Sequence, residues 1–104
     1  MTTPALARSM RERELQTGIL SLARLMGLLV YHTYDSRRSQ PGFPDLVIVG
    51  PRGVLYRELK TINGRVSPDQ QKWLTALQRA GQDAGVWRPD QWPDVIQDEM
   101  RRVA

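Results

Sequence analysis

The sequence predicts an α/β fold in which one mixed sheet is flanked by helices. Apolar residues recur at helical spacing near the start, and three strand-like runs separated by Pro and Gly then follow. A capped helix, a short strand and a last helix complete the predicted order helix-strand-strand-strand-helix-strand-helix. The length of 104 residues predicts a single domain over residues 1–104.

The first predicted helix spans residues 6–25 and carries one apolar stripe. Apolar side chains recur there at spacings of four, three and four, which is the periodicity of an α-helix. The stripe consists of Leu15, Ile19, Leu22 and Met26. Gly27 follows the stripe and is predicted to end the helix.

Three strands are predicted after this helix. Residues 28–34 are rich in β-branched and aromatic side chains, which favours a strand, and residues 35–44 have the polar, Pro- and Gly-containing composition of a loop. Residues 45–49 are almost entirely apolar, which predicts a strand covered on both faces. A turn at residues 51–53 leads to the third strand, residues 54–61.

The second predicted helix begins at a capping sequence. Ser67 is the expected N-cap, Pro68 suits the first helical position, and Gln70 completes a capping box. Gly81 is the expected end of this helix. The two remaining elements are a strand over residues 84–87 and a helix over residues 93–102.

The composition excludes several kinds of site and indicates the class of partner. With no cysteine and one histidine, the chain cannot form disulfides, Cys-ligated zinc sites, thiol nucleophiles or His-rich nuclease centres. The net charge of +4 comes mostly from arginine, which suits phosphate and indicates a nucleic acid, a solvated basic surface being the alternative. We expect an intracellular, cytoplasmic protein, because neither a membrane span nor a secretory signal is evident.

The predicted hairpin brings two carboxylates and one ammonium group together. If the turn centres near residue 52, Asp45 lies opposite Glu58 or its immediate neighbour. Glu58 and Lys60 are two residues apart on one strand, so their side chains share a sheet face. An ordinary surface ion pair is the alternative interpretation of these three residues.

This group of charges favours binding of a hard cation. Two carboxylates ~4 Å apart repel by about 4 kcal/mol at an effective dielectric constant of 20. Lys60 offsets only one of the charges, so the group is expected to bind Mg²⁺ or Mn²⁺. Such an ion, assisted by the Lys60 ammonium, suits hydrolysis of a phosphodiester bond.

The first helix supplies one more acid to this predicted site. Glu12 precedes Leu15 by three residues and Ile19 by seven, so it continues the core-facing stripe. Glu14 is placed to the side by the same periodicity, although a shift of one residue in register would reverse the choice. We therefore predict Glu12 as the first-helix acid and keep Glu14 as the alternative.

These residues match the PD-(D/E)XK nuclease pattern, and the chain most closely resembles the VRR-NUC (virus-type replication–repair nuclease) family. The resemblance runs from Glu12 to about Pro89. The motifs that carry it are Glu12 with Gln16, Tyr31-His32, Asp35-Ser36-Arg37, Gly42-Phe43-Pro44-Asp45-Leu46, Glu58-Leu59-Lys60-Thr61, and Ser67 to Gln70 followed by Trp73-Leu74. Arg57 departs from the pattern, because an apolar residue is common at this position in the family.

The resemblance implies a restriction-endonuclease-like fold and roles for individual residues. It implies Asp45, Glu58 and the backbone carbonyl of Leu59 as metal ligands, with Glu12 as a further acid. It implies Lys60 as the catalytic lysine. It also implies that Gln70 lies near the active site, and its alternative role is the capping box.

Contacts with DNA are predicted outside this acidic group. Ser36, Arg37 and Arg38, in the loop before Asp45, are candidates for phosphate contacts, as is Arg65 before the second helix. His32 is a candidate for a phosphate contact or a general base, and a hydrogen-bonded structural histidine is the alternative. A solvated loop is the alternative for the two arginines of the first loop.

The function predicted is that of a metal-dependent DNA endonuclease that selects branched, flapped or nicked structures in phage or bacterial replication and repair. A homodimer is expected, because incision of both strands calls for two active sites. Two alternatives belong to other classes. One is a binding module of the same fold without catalysis, and the other is a subunit that is active only with phage replication or repair proteins.

Overall fold

Four strands form one sheet in the computed structural model, which describes residues 2–33 and 39–104. The strands are β1 (Leu29–His32), β2 (Leu46–Gly50), β3 (Gly53–Leu59) and β4 (Asp83–Trp87). The helices are α1 (Pro4–Ser9), α2 (Glu12–Leu25), α3 (Pro68–Arg79) and α4 (Asp94–Arg101), with a 3₁₀ turn at Pro89–Gln91. Within the described ranges, no helix has the length and apolar character needed to cross a membrane.

The sheet is mixed and its strands lie in chain order. β1 pairs with β2 and β2 with β3 in antiparallel fashion, whereas β3 and β4 are parallel. The parallel pair requires a crossover connection, and α3 supplies it. The predicted α/β class with a mixed sheet between helices is therefore confirmed.

The first helical region contains two helices, so the single helix predicted over residues 6–25 is wrong. Met10 and Arg11 adopt extended backbone angles, with ψ values of 128° and 158°, and separate α1 from α2. The break is stabilised locally, because the Glu14 carboxylate accepts a hydrogen bond of 3.3 Å from the Arg11 backbone N–H. The second helix ends at Leu25, as predicted.

The hydrophobic core lies on one face of the sheet. α2 and α4 cover this face, and every strand from β2 to β4 contributes buried side chains to it. The principal members are Leu15, Ile19 and Ala23 of α2, Leu46, Ile48, Leu55, Leu59 and Trp87 of the sheet, and Ile96 and Met100 of α4. This core holds the strands rigidly, which a site built from strand residues requires.

The opposite face is only partly covered, so the prediction that the second strand is covered on both faces is wrong. α3 packs against β4 and leaves the face of β1 and β2 accessible. Leu29 and Tyr31 are 74% and 64% exposed on that face, and Val49 is 39% exposed. An apolar run predicted burial on both sides, but a single short crossover helix is too narrow to cover four strands.

Arg57 is buried on the core face and bound by two acids. Its Nη2 atom lies 2.8 Å from Asp83 Oδ1 and 2.9 Å from Glu99 Oε1, and its guanidinium stacks 5.1 Å from the centre of the Trp87 ring. The Trp87 indole N–H also donates to Glu99 Oε1, at 2.9 Å. Although burial favours the neutral acid, hydrogen bonds from Arg57 and Arg102 hold the pKa of Asp83 below its ordinary value.

Loss of the Arg57 charge should destabilise the fold strongly. Arg57→Met leaves the Glu99 carboxylate without its buried cation, and we expect the free energy of unfolding to fall by about 3 kcal/mol or more. The control Arg101→Met breaks an exposed ion pair with Asp98. It should change the free energy of unfolding by less than about 1 kcal/mol. Urea unfolding of both variants measures the difference, and equal losses would contradict a structural role for the Arg57 network.

Candidate active site

The β2–β3 hairpin places Asp45 opposite Glu58. Paired residues run from Gly50–Gly53 to Leu46–Arg57, and one further step along both strands pairs Asp45 with Glu58. The register therefore agrees with the predicted one. Because side chains alternate between faces, these two carboxylates lie on the partly covered face, away from the hydrophobic core.

Asp45 is held in place at the entrance to β2. Its Oδ2 atom accepts a hydrogen bond of 2.8 Å from the Leu59 backbone N–H on the neighbouring strand. Its backbone carbonyl accepts one of 3.2 Å from the N–H of Thr33, just beyond β1. The carboxylate is thus positioned by both neighbouring chain segments.

Glu58 is a buried acid with one unsatisfied oxygen. The residue is 2% exposed, and its Oε2 atom accepts a hydrogen bond of 2.7 Å from Gln70 Nε2. Among the described residues, no donor reaches the buried Oε1 atom. Burial and the negative charge of Asp45 raise the pKa of Glu58 to about 7, although the positive charge of Lys60 opposes the shift.

Lys60 lies beside Glu58 at the end of β3. Its ammonium nitrogen is 3.6 Å from Glu58 Oε2, and its side chain is 12% exposed. The backbone N–H of Lys60 donates to the Trp87 carbonyl at 3.1 Å, which prolongs the pairing with β4. Arg88 then binds the following loop through the carbonyls of Thr61 and Gly64, at 2.7 and 2.8 Å. The backbone on both sides of Lys60 is therefore held.

Gln70 forms the predicted capping box and also contacts the buried acid Glu58. Its Oε1 atom accepts from the Ser67 backbone N–H at 2.9 Å, while the Ser67 hydroxyl accepts from the Gln70 N–H at 3.2 Å. This is the predicted capping box of α3. Its Nε2 atom donates to Glu58, so one amide connects the helix N-terminus to the buried acid.

A cleft of about 290 Å³ opens above the two carboxylates. Thr33, Phe43 and Asp69 line it together with Asp45, Glu58 and Gln70. These first three residues were not predicted as part of the site. Asp69 had a signal in the sequence, since it lies inside the capping box, but nothing local relates Thr33 to Asp45.

The wall of the cleft depends on a close approach of two backbones at Gly42. The residue has a φ of +93°, and a Cβ atom there would lie 2.4 Å from the backbone carbonyl of Asp69. Both the conformation and the space require glycine. The loop before Asp45 is consequently fitted against the first turn of α3.

Glu12 does not point into the core as predicted. It is exposed, because it is the first residue of α2 and the covered stripe begins one turn later at Leu15. Glu14, the alternative, is engaged in the N-terminal cap of the same helix. Among the described residues, no set of three or more acids or histidines is arranged to hold a metal, so Asp45 and Glu58 form a pair without Glu12.

The predicted DNA contacts lie in different places. His32 pairs with Leu46 on the sheet face that α2 covers, so it faces away from Asp45 and Glu58. Strand alternation places Thr33 beside these acids instead, so His32 is not positioned there as a general base, and its phosphate contact stays a prediction. Arg65 is exposed in the loop before α3. Ser36, Arg37 and Arg38 lie outside the described residues.

The pair of acids fits a divalent cation. Magnesium sites commonly use one or two carboxylates and leave the remaining positions to water and substrate phosphate. Asp45 and Glu58 provide two carboxylates, and the buried Glu58 Oε1 lacks a donor within the described chain. An unpaired, buried carboxylate oxygen is costly, and a cation would satisfy it. The backbone carbonyl of Leu59, between Glu58 and Lys60, is the predicted third ligand.

The raised pKa of Glu58 predicts a pH dependence of stability in the absence of metal. The folded state holds this proton up to about pH 7, whereas the unfolded chain releases it near pH 4.5. The contribution of Glu58 to the free energy of unfolding should therefore fall as pH rises from 4.5 to 7, by up to about 3 kcal/mol.

Urea unfolding across this range, with EDTA present, measures the effect. Glu58→Gln removes the titrating group and should flatten the decline. Asp98→Asn, which changes an exposed carboxylate outside the site, should preserve it. A decline of the same size in Glu58→Gln as in the unchanged chain would contradict the assignment.

Comparison with known proteins agrees with this geometry. The family model of the VRR-NUC domain matches residues 5–91. A solved structure described as a VRR-NUC domain protein is 24% identical, with a TM-score of 0.70 over 89% of this chain and 90% of its own. A second, described as a VRR-NUC domain, is 26% identical, with a TM-score of 0.67 over 83% and 94%. No curated protein matches significantly. The chain belongs to the VRR-NUC family of nuclease-type domains.

Proposed function

We propose that this protein is a Mg²⁺- or Mn²⁺-dependent DNA endonuclease. The observation that carries the proposal is the buried Glu58 carboxylate, whose Oε1 atom lacks a donor within the described residues while Asp45 lies opposite. Burial of an ionised acid is costly unless a proton or a cation neutralises it, and a divalent cation would neutralise Asp45 and Glu58 together. Membership of a nuclease-type family identifies hydrolysis of a phosphodiester as the reaction to test first.

In this proposal, Asp45, Glu58 and the Leu59 carbonyl hold the metal. When bound, the ion polarises a phosphate oxygen and lowers the pKa of a bound water molecule. Asp45 is kept in position by the Leu59 N–H, and Glu58 by the Gln70 amide. Both hydrogen bonds orient carboxylates that could otherwise rotate, so the geometry exists before substrate arrives.

Lys60 is the proposed catalytic cation. Its ammonium nitrogen lies 3.6 Å from Oε2 of Glu58, one of the proposed metal ligands. It can donate a hydrogen bond to the attacking water or to a phosphoryl oxygen, where negative charge develops in the transition state. Gln70 is a positioning residue, because it acts through Glu58. Glu12, in the exposed first turn of α2, is retained as a further acid that would contact the substrate.

The proposed substrate is DNA with branches, flaps or nicks. The excess of arginine favours phosphate contacts, and the chain presents no described helix dedicated to reading bases, which predicts little sequence specificity. Arg65, together with Arg37, Arg38 and Ser36, remains a candidate for backbone contacts. A homodimer would supply the second active site needed to cut both strands. Phage replication or repair proteins are the other proposed partners.

Cleavage of a labelled DNA panel tests this function. Single-stranded, duplex, flap and four-way-junction substrates are incubated with Mg²⁺, Mn²⁺ or EDTA. We expect cleavage that requires the metal and falls at least ~100-fold in Lys60→Ala, which removes the charge that stabilises the transition state. Lys72→Ala, which removes an exposed lysine on α3, is the matched control and should retain activity.

Two results would redirect the proposal. Binding of DNA without cleavage under every metal would favour the binding module or the subunit that is active only with partners. Equal cleavage by Lys60→Ala and the unchanged chain would contradict the assignment of the site.

A further inference from the structure

A second pocket adjoins the catalytic cleft on the same sheet face. We call it the aromatic pocket, and its volume is about 250 Å³. Its walls include the rings of Tyr31, Phe43 and Trp73, and its polar groups come from Thr33, Ser39 and Gln40. The combination of aromatic walls with hydroxyl and amide groups suits a flat ligand with an apolar face and polar edges.

The aromatic pocket shares part of its wall with the cleft. Both cavities are lined by Thr33, Gly42 and Phe43. Tyr31 lies two residues before Thr33, which corresponds to ~7 Å along the chain, and both project from the face that carries the carboxylates. A ligand group in the pocket would therefore lie about one nucleotide from a phosphate at Asp45 and Glu58.

Two of the three rings are fixed by the fold, and the third is exposed. The Trp73 indole N–H donates to the Pro41 carbonyl at 3.1 Å, and the Phe43 and Trp73 rings meet edge to face at 5.1 Å. Tyr31 is 64% exposed, so its ring is not used by the core. A fixed aromatic wall and an accessible ring in the same pocket provide a surface on which a base can stack.

We propose that the aromatic pocket binds one unstacked nucleobase of the DNA strand whose phosphate lies at Asp45, Glu58 and Lys60. This inference rests on the proposed nuclease function and narrows its substrate. A base can enter the pocket only when it is unpaired or has left the helical stack. The enzyme would then favour single-stranded segments, flaps and junctions over continuous duplex. The selecting contact would be stacking on the face of a base, which every base provides, and not hydrogen bonds to the base edge, which differ with sequence.

Binding measurements with and without bases test the pocket. The Lys60→Ala variant is used in EDTA, so that no DNA is cut. Fluorescence anisotropy compares a single-stranded oligothymidylate with an abasic oligonucleotide of equal length and charge. We expect Tyr31→Ala, made in that background, to weaken binding of the oligothymidylate ~5- to 100-fold, which corresponds to loss of one stacked base. Binding of the abasic strand should not change.

Leu29→Ala is the matched control. Leu29 is also exposed on the same strand and face, but it does not line the aromatic pocket. It should leave both affinities unchanged. Equal loss in Leu29→Ala and Tyr31→Ala would overturn the proposal. The proposal would also be overturned if sedimentation showed that both substitutions lower the mass of the protein in solution. That result would assign this sheet face to contact with a second copy of the chain.

The design separates failure of the pocket from failure of the nuclease. Metal-dependent cleavage by the unchanged chain, together with equal binding of thymidylate and abasic strands, would overturn the aromatic pocket alone. Absence of binding to either strand and of cleavage in the DNA panel would overturn both proposals.

Discussion

The register between β2 and β3 determines where the two carboxylates of the site lie. With Gly50 paired to Gly53, Asp45 must oppose Glu58, and a slip of one residue would turn one of these acids toward the hydrophobic core. The core prevents such a slip, because Leu46, Ile48 and Leu55 fill it from the other face. The charged site is therefore positioned by apolar packing on the opposite side of the same sheet. A rigid hairpin also explains why two carboxylates can be kept close despite their repulsion.

The site also depends on the crossover helix that follows β3. The first turn of α3 is connected to Glu58 through Gln70 and to the loop before Asp45 through the close approach at Gly42. The β2–β3 hairpin, the loop before Asp45 and the first turn of α3 thus meet at the cleft, and each contributes residues to its lining. A buried, partly unpaired acid lowers the stability of the fold, and the packing of the remaining structure compensates for this loss. Functional sites commonly depend on the stability of their scaffold in this way. On the core face, Arg57 shows the alternative solution, in which a buried charge is paired completely by protein groups.

Local signals made much of this arrangement predictable. The turn residues between two apolar runs identified the hairpin, and the sequence Ser67 to Gln70 identified the start of α3. Contacts between residues far apart in the sequence could not be predicted in this way, because no local pattern encodes them. Arg57 meets Glu99 42 residues further on, and Thr33 reaches the cleft only through its pairing with Asp45. The interruption at Met10 and Arg11 carries neither proline nor glycine, so periodicity alone favoured one long helix. Periodicity also predicted that Glu12 faces inward. Glu12 is exposed because it is the first residue of α2, one turn before the first buried residue of the stripe, Leu15.

The proposed function depends on binding of a divalent cation by Asp45 and Glu58 together. Anomalous diffraction from a crystal grown with Mn²⁺ tests this most directly, since the signal locates the ion without reference to activity. We expect a peak between the Asp45 and Glu58 carboxylates, within coordination distance of both and of the Leu59 carbonyl. A peak only elsewhere on the chain, or an empty cleft at saturating Mn²⁺, would contradict it.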